Sequence, residues 1–231
     1  ANAERVARRV AEHFADPTYL RLPDGRPVFV IGDDRNFRDA DGRRCGNAAC
    51  HSAAVARFVG QLRRIVRESG GRDPFVQMHS GIPGWDSTGA IDGVSCLLPP
   101  MTLGRGTPYP RFERAALEPL ARAGKPVSPC MLSNFDERPR QDVLVAERSA
   151  IRYLVGKTDE RFRANLLAAR ALSDAQFAAT GSPAARIVYL YAWNEWHEGG
   201  ILEPNAATGA SDLGIVAEAF GLPRRPSACL D

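Results

Sequence analysis

The chain has 231 residues, of which 44% are hydrophobic, and a net charge of +3 from 30 basic and 27 acidic residues. This composition is typical of a folded globular protein and excludes a disordered chain. It also argues against nucleic acid as a partner, because a nucleic-acid binder shows a concentrated basic face. No apolar run approaches the ~18 residues of a membrane-spanning helix. Residues 1–9 are charged and lack the apolar segment of a signal peptide, which leaves the compartment open.

Helical and extended patterns alternate from the start of the chain. An apolar stripe over residues 3–14 predicts a first helix. The apolar run 28–31 predicts a strand that is buried on both faces, as in parallel sheets. A polar loop follows over residues 33–50, and Ser52 is predicted to cap a long helix that ends at Gly70.

The remainder of the chain repeats this alternation. Short apolar runs predict further strands at 75–78, 93–98, 127–132 and 187–192. Helices are predicted at about 111–123, 158–172 and 212–220. A loop rich in Pro and Gly covers residues 99–110, whereas residues 142–155 fit neither pattern.

The alternation of strands and helices indicates an α/β fold with a parallel sheet. The chain contains neither of the glycine-rich phosphate-binding motifs, which removes the main support for a nucleotide-binding fold. The layout that remains is the (β/α)8 TIM barrel, in which functional side chains follow the C-terminal ends of strands. Polar residues do follow the predicted strands: Asp33, Asp34, His79, Asp136, Arg138 and the cluster at 191–203.

A barrel of this type needs eight strands, and the sequence shows five. We therefore expect residues 1–231 to form a single, N-terminally incomplete barrel domain of about five βα units, with an open sheet. The cysteines include Cys45 and Cys50, which form either a loop disulfide or two plain thiols. The sequence shows neither a metal-ligand cluster nor a nucleotide motif, so we expect no metal and no organic cofactor.

The most informative segment, residues 191–204, reads YAWNEWHEGGILEP. Aromatic rings beside carboxylates suit sugars, because rings stack on the C–H faces of pyranoses and carboxylates accept hydroxyl hydrogen bonds. Glu195 and Glu198 would be neighbours on a helical turn, which suits the paired carboxyl groups of a retaining glycosidase. In an extended segment they would point to opposite faces. The same pattern also fits an aromatic strand end in the core with solvated glutamates.

The stretch from Trp193 to Pro204 resembles the W-N-E-[WY]-x-E-G-x-x-[IL]-E-P signature of glycoside hydrolase family 99 and of the related WbsX-type proteins. Weaker similarity covers residues 19–29, 91–93 and 134–140. The chain departs from the pattern at Gly200, where the hydrolases usually continue with T-Q-I.

The resemblance implies a retaining hydrolase of α-mannosidic bonds. Glu198 would be the general acid/base, and Glu195 the base that helps the 2-hydroxyl of the substrate attack the anomeric carbon. The expected partner is thus a carbohydrate. Its expected contacts are Tyr191, Trp193, Asn194, Trp196, His197, Glu203, Asp33, Asp34, His79, Asp136 and Arg138. Glu203 would be either such a contact or a structural residue.

Several alternatives stay open at this point. His79 is either a substrate contact or a structural histidine, and Asp34 either binds sugar or cation or forms a local ion pair with Arg35. A WbsX-like protein of surface-polysaccharide (O-antigen) biosynthesis is the first alternative function. A non-catalytic glycan-binding barrel is the second, although the retained Glu195 and Glu198 argue against it.

Overall fold

The computed structural model describes residues 2–32, 37–79, 89–95, 104–111, 117, 125–140 and 151–223. Its helices are α1 (Asn2–His13), α2 (Ala48–Glu68), α3 (Asp159–Thr180) and α4 (Ser211–Phe220). Its strands are β1 (Val28–Ile31), β2 (Phe75–His79), β3 (Gly93–Ser95), β4 (Thr107–Pro108), β5 (Val127–Ser128), β6 (Cys130–Leu132), β7 (Leu154–Val155), β8 (Tyr189–Tyr191), β9 (Asn194–Glu195) and β10 (Gly200–Ile201). Most of the helix predicted at 111–123 lies outside the described residues.

The chain divides into two compact units. Unit 1 comprises residues 1–97, 123–128 and 176–185, and unit 2 comprises residues 98–122, 129–175 and 186–231. Among the helices of the described ranges, none combines the length and the apolarity that a membrane crossing requires.

Unit 1 contains a parallel sheet whose strand order, β1-β2-β3-β5, follows the chain. Helix α2 lies between β1 and β2 in sequence and buries a regular apolar face. That face consists of Ala54, Val55, Phe58, Val59, Leu62, Ile65 and Val66. Every residue of β2 except His79 is buried, as expected for a strand covered on both faces. The prediction of an α/β fold with a parallel sheet is confirmed.

Unit 2 contains shorter ladders around its own apolar core. Strand β6 pairs in parallel with β8, β4 pairs in parallel with β7, and β9 pairs antiparallel with β10. The core cluster takes side chains from the strands, α3 and α4, among them Met131, Leu132, Phe135, Phe162, Leu166, Leu202 and Ile215. This core supports the two loops, after β6 and after β8, that carry the candidate site.

Two predicted boundaries are wrong for identifiable reasons. Helix α2 begins at Ala48 and not after Ser52, because the Asn47 side chain caps it by accepting a hydrogen bond from the Cys50 amide at 2.9 Å. The predicted strand 127–132 is divided at Pro129, which has no amide hydrogen to donate to a ladder. Its halves pair with different partners, β5 with β3 and β6 with β8.

A disulfide joins Cys45 to Cys50 at the start of α2, which resolves the choice between a bridge and two thiols. It closes a short loop around the Asn47 cap. Replacement of both cysteines by Ser should lower the free energy of unfolding by about 2 kcal/mol, the chain-entropy value for a loop this short. Urea unfolding under oxidising conditions measures the loss, with Ser52→Ala as a control that leaves the cap intact. An unchanged midpoint would contradict this prediction.

Candidate functional site

The segment after β8 folds back on itself and brings its polar residues together in unit 2. The chain leaves β8 at Tyr191, forms β9, makes a 3-10 turn over Trp196–Glu198 and returns as β10. Gly199 ends the turn in the left-handed region with φ 66°. The amide of Leu202 donates to the carbonyls of Ala192 and Trp193, each at 3.0 Å, which fixes the returning chain against the outgoing one.

Glu198 is the buried acidic residue of this segment, with an exposed fraction of 9%. Both oxygens of its carboxyl group have partners. Arg140 forms an ion pair with Oε1, and the Tyr191 hydroxyl donates a hydrogen bond to Oε2. A buried carboxylate is stable only when it is paired and hydrogen-bonded, and these two residues supply that environment.

Two consecutive glycines allow this close approach. A Cβ atom on Gly200 would lie 2.8 Å from Cε1 of the Tyr191 ring, and one on Gly199 would lie 3.0 Å from Cβ of Asp136. The absence of side chains therefore lets the turn pack against both the Tyr191 ring and the loop after β6. The same packing allows the Asp136 amide to donate to the Glu198 carbonyl at 2.6 Å.

The loop after β6 is held from its other side by residues 152–154. The Glu137 amide donates to the Arg152 carbonyl at 3.0 Å, and the Leu154 amide donates to the Phe135 carbonyl at 2.9 Å. Phe135 is fully buried. A 3-10 turn over Arg138–Arg140 then carries Arg140 towards Glu198. Backbone hydrogen bonds thus fix the loop without any contribution from the side chains of the site.

Three arginines of the described residues around the site each pair with a different carboxylate. Arg138 pairs with Asp136 at 2.6 Å, and Arg152 pairs with Glu137 at 2.5 Å, while Arg140 pairs with Glu198. Because three cations face three anions, the site has no surplus of positive charge among these residues.

These pairs also set the ionisation of the carboxylates in the loop. Burial alone would raise the pKa of Glu137, but hydrogen bonds from Arg152 outweigh it and hold the pKa below its usual value. For Asp136, burial is likewise outweighed by hydrogen bonds from Arg138, so its pKa is lowered. The pKa of Arg152 is raised, chiefly by its hydrogen bonds to Glu137, with the charge of Glu198 contributing in the same direction.

The two tryptophans of the segment are exposed, Trp193 by 54% and Trp196 by 50%. The indole Nε1 of Trp196 donates to Glu203 Oε1 at 2.5 Å, which fixes one edge of this ring. The interpretation of the aromatic cluster as a core strand end is therefore wrong for these two rings, since a core would cover them. Half-exposed indoles beside carboxylates are suited to binding a ligand with both apolar and hydroxyl groups.

The other predicted site residues divide into three groups. Asn194, Glu195 and His197 belong to the same segment as Glu198 and are exposed. His79 ends β2 in unit 1 and is half-buried, while Asp33 and Asp34 lie outside the described residues. Glu195 ends β9 and directly precedes the 3-10 turn that Glu198 ends. The entry of both carboxyl groups into one cleft stays a prediction.

Arg140 is the important residue that the sequence analysis did not select. It lies in the stretch 134–140, which has weak similarity to the family, but in that stretch the sequence predicts only Asp136 and Arg138 as site residues. The sequence does contain a signal for Arg140, because this arginine follows the end of a predicted strand, as the other candidate residues do. The partner of that arginine is 58 positions further along the chain, however, and no local pattern indicates such a contact.

Within the described residues, no group of three or more His, Cys, Asp or Glu side chains is arranged to hold a metal ion. The chemistry that the arrangement supports is proton exchange and hydrogen bonding by carboxyl groups, next to exposed aromatic faces.

Comparison with known proteins relates this chain to one protein family and to solved structures of similar fold. The family model described as "Glycosyltransferase WbsX" matches residues 1–216. A solved structure named "Glycoside hydrolase-like protein" aligns with a TM-score of 0.61 at 20% identity and covers 94% of this chain. A glycoside hydrolase family 99 endo-alpha-mannosidase from Bacteroides thetaiotaomicron aligns with a TM-score of 0.52 at 15% identity, again over 94% of this chain. No curated protein matches.

This chain spans 60% and 59% of the length of those two structures. At such identities the likeness concerns the fold, and it supports the prediction of a barrel-type α/β layout without showing that a barrel closes in this chain.

The Glu137–Arg152 pair predicts a specific dependence of stability on pH. Since the folded protein lowers the pKa of Glu137, this carboxylate stabilises the fold above about pH 4.5 and loses that effect as pH falls through the folded value. Glu137→Gln should therefore lower the free energy of unfolding by about 2 kcal/mol near neutral pH, less than for a fully buried pair because Arg152 stays partly exposed.

The difference between Glu137→Gln and wild type should narrow as the pH is lowered below about 4.5. Urea titrations over this range test the prediction, with Glu218→Gln, from the exposed Arg163–Glu218 pair, as the matched control. A constant difference across the range would contradict it.

Proposed function

The chain belongs to the family described as "Glycosyltransferase WbsX", and we propose that it is a glycan-processing enzyme, a retaining glycoside hydrolase of α-linked, mannose-type glycans. The observation that carries this proposal is the buried Glu198 carboxyl group, held by Arg140 and Tyr191 in the segment after β8 that also exposes the rings of Trp193 and Trp196. A buried acidic side chain next to exposed aromatics is costly for stability, which is typical of a functional site.

The proposed roles follow the chemistry of the two carboxyl groups. Glu198 exchanges a proton with the oxygen atom at the anomeric carbon, because it is the carboxyl group shielded from bulk water. Glu195 accepts the proton of the 2-hydroxyl of the substrate as that oxygen attacks the anomeric carbon, which gives an anhydro-sugar intermediate. Reopening of the intermediate by water, with the roles of acid and base reversed, gives net retention.

The two indole rings supply binding energy in this proposal. The faces of Trp193 and Trp196 are available to the C–H faces of pyranose rings, and Glu203 restricts the motion of Trp196 before any ligand arrives. A fixed ring loses less conformational freedom on binding. Asn194 and His197, which are exposed in the same segment, are proposed to bind sugar hydroxyls.

A second candidate is transfer of a sugar in surface-polysaccharide assembly, because the description of the matching family names a glycosyltransferase. The same residues would serve it, with a sugar hydroxyl in place of water as the acceptor. A screen with α-mannan and α-linked manno-oligosaccharides, alone and with sugar nucleotides, separates the two. Products released without a donor indicate the hydrolase, and products formed only with a donor indicate the transferase.

Proton NMR of the first product formed decides the stereochemistry. The α-anomer is expected from a retaining enzyme, and initial release of the β-anomer would overturn the retaining mechanism. Binding without any turnover would favour the non-catalytic glycan-binding alternative.

Substitution of the two glutamates separates their roles. Glu198→Gln should lower kcat by about 100-fold or more on manno-oligosaccharides, in the range of general acid–base effects, and by much less on an aryl glycoside whose leaving group needs no proton. Glu195→Gln should slow the first step for both substrates. The matched control is Glu68→Gln on the exposed end of α2. Full activity in both site variants would contradict the proposal.

Removal of either ring should weaken binding more than chemistry. Trp193→Ala and Trp196→Ala should each raise KM by about 2- to 10-fold, the equivalent of roughly 0.5–1.5 kcal/mol for one ring contact, with a smaller change in kcat. Leu222→Ala removes an apolar side chain of equal exposure, 54%, and serves as the control. Unchanged KM in both Trp variants would exclude these rings from the binding site.

A further inference from the structure

We propose that Arg140 is a positioning residue that, together with Tyr191, fixes the orientation of the Glu198 carboxyl group. The observation is the pairing of both carboxyl oxygens: Arg140 contacts Oε1, and the Tyr191 hydroxyl donates to Oε2. The inference deepens the proposed function, since it assigns a role to Arg140 at the same carboxyl group.

The neighbouring arginines form their hydrogen bonds with other carboxylates. Arg138 is engaged by Asp136 through both of its carboxylate oxygens, and Arg152 is engaged by both oxygens of Glu137. The charge of Glu198 contributes to the raised pKa of Arg152, but the short contacts of Arg152 are with Glu137.

The backbone also places Arg140 without a contribution from the Glu198 side chain. Its amide donates to the Glu137 carbonyl at 2.9 Å, and Glu137 is itself held by Arg152. The guanidinium of Arg140 is therefore presented by a loop that is fixed on its other side. A guanidinium group on a fixed loop can orient the carboxyl group that it contacts, whereas a guanidinium group on a mobile loop would adjust to the position of that carboxyl group.

The exposure of the pair has a consequence for the reaction. The Glu198 side chain is 12% exposed and that of Arg140 is 33% exposed, so that Arg140 lies on the solvent side of the contact. Arg140 on Oε1 and the Tyr191 hydroxyl on Oε2 leave the carboxyl group a single orientation for proton exchange. Without Arg140, only the Tyr191 hydroxyl would hold that orientation.

The first test is a double-mutant cycle on unfolding with Arg140→Met, Glu198→Gln and the double variant. The two residues should be coupled by about tenfold or more in the unfolding equilibrium constant, since removal of Arg140 alone leaves an uncompensated buried carboxylate. Arg138→Met with Glu198→Gln is the matched control from the same turn and should show little coupling, because Arg138 pairs with Asp136. Coupling below about twofold for Arg140 overturns the proposal.

The second test asks whether Arg140 acts through Glu198 in turnover. On the manno-oligosaccharide, Arg140→Met should lower kcat about 10-fold or more with KM nearly unchanged, Arg140→Lys should restore part of it, and Arg140→Met should have no further effect in the Glu198→Gln background. Arg163→Met, from an exposed ion pair, is the control. An equal loss in both backgrounds overturns the positioning role. Failure of the wild type to process any glycan would overturn the proposed function, while the unfolding cycle would still decide whether Arg140 fixes Glu198.

Discussion

The burial of a carboxylate at Glu198 is the constraint on which the candidate site depends. Removal of an ionised carboxyl group from water costs several kcal/mol unless partners replace the solvent. Arg140 and the Tyr191 hydroxyl do so, one on each oxygen. These partners come from different parts of the chain, the loop after β6 and the end of β8. The pairing of β6 with β8, which sets Leu132 opposite Tyr191, brings those two parts together.

Backbone hydrogen bonds alone hold the loop after β6 next to the turn that contains Glu198. The Asp136 amide donates to the Glu198 carbonyl, and the loop that contains Asp136 is hydrogen-bonded to residues 152–154 on its other side. Gly199 gives the turn its left-handed ending and leaves room for Asp136. A larger residue at Gly199 would therefore disturb both the turn and the contact between the two loops.

The fold was predictable from the sequence where a pattern is local. The strands β1 and β2 and the apolar face of α2 could be predicted from the spacing of apolar residues, because a helix or strand that is buried on one face or on both places its apolar residues at regular intervals in the sequence. The start of α2 was misplaced because Asn47 and Ser52 are both good caps, and only the structure shows which side chain meets an amide. The division at Pro129 was visible as a proline, but the separate partners of β5 and β6 were not. At the site, Glu198 and its aromatic neighbours followed from one continuous segment, whereas Arg140 depends on a contact across 58 positions.

Gly200, where this chain departs from the family 99 pattern, is packed closely against the Tyr191 ring. The Tyr191 ring lies where a side chain at Gly200 would point, with Cε1 2.8 Å from the position of a Cβ atom. The hydroxyl of that same ring donates to Glu198. A threonine at this position, with which the family 99 hydrolases usually continue, would need the ring to move and would thereby remove one partner of the carboxylate. The glycine and the tyrosine are thus a matched pair, and together they give Glu198 an environment that the signature residues alone do not predict.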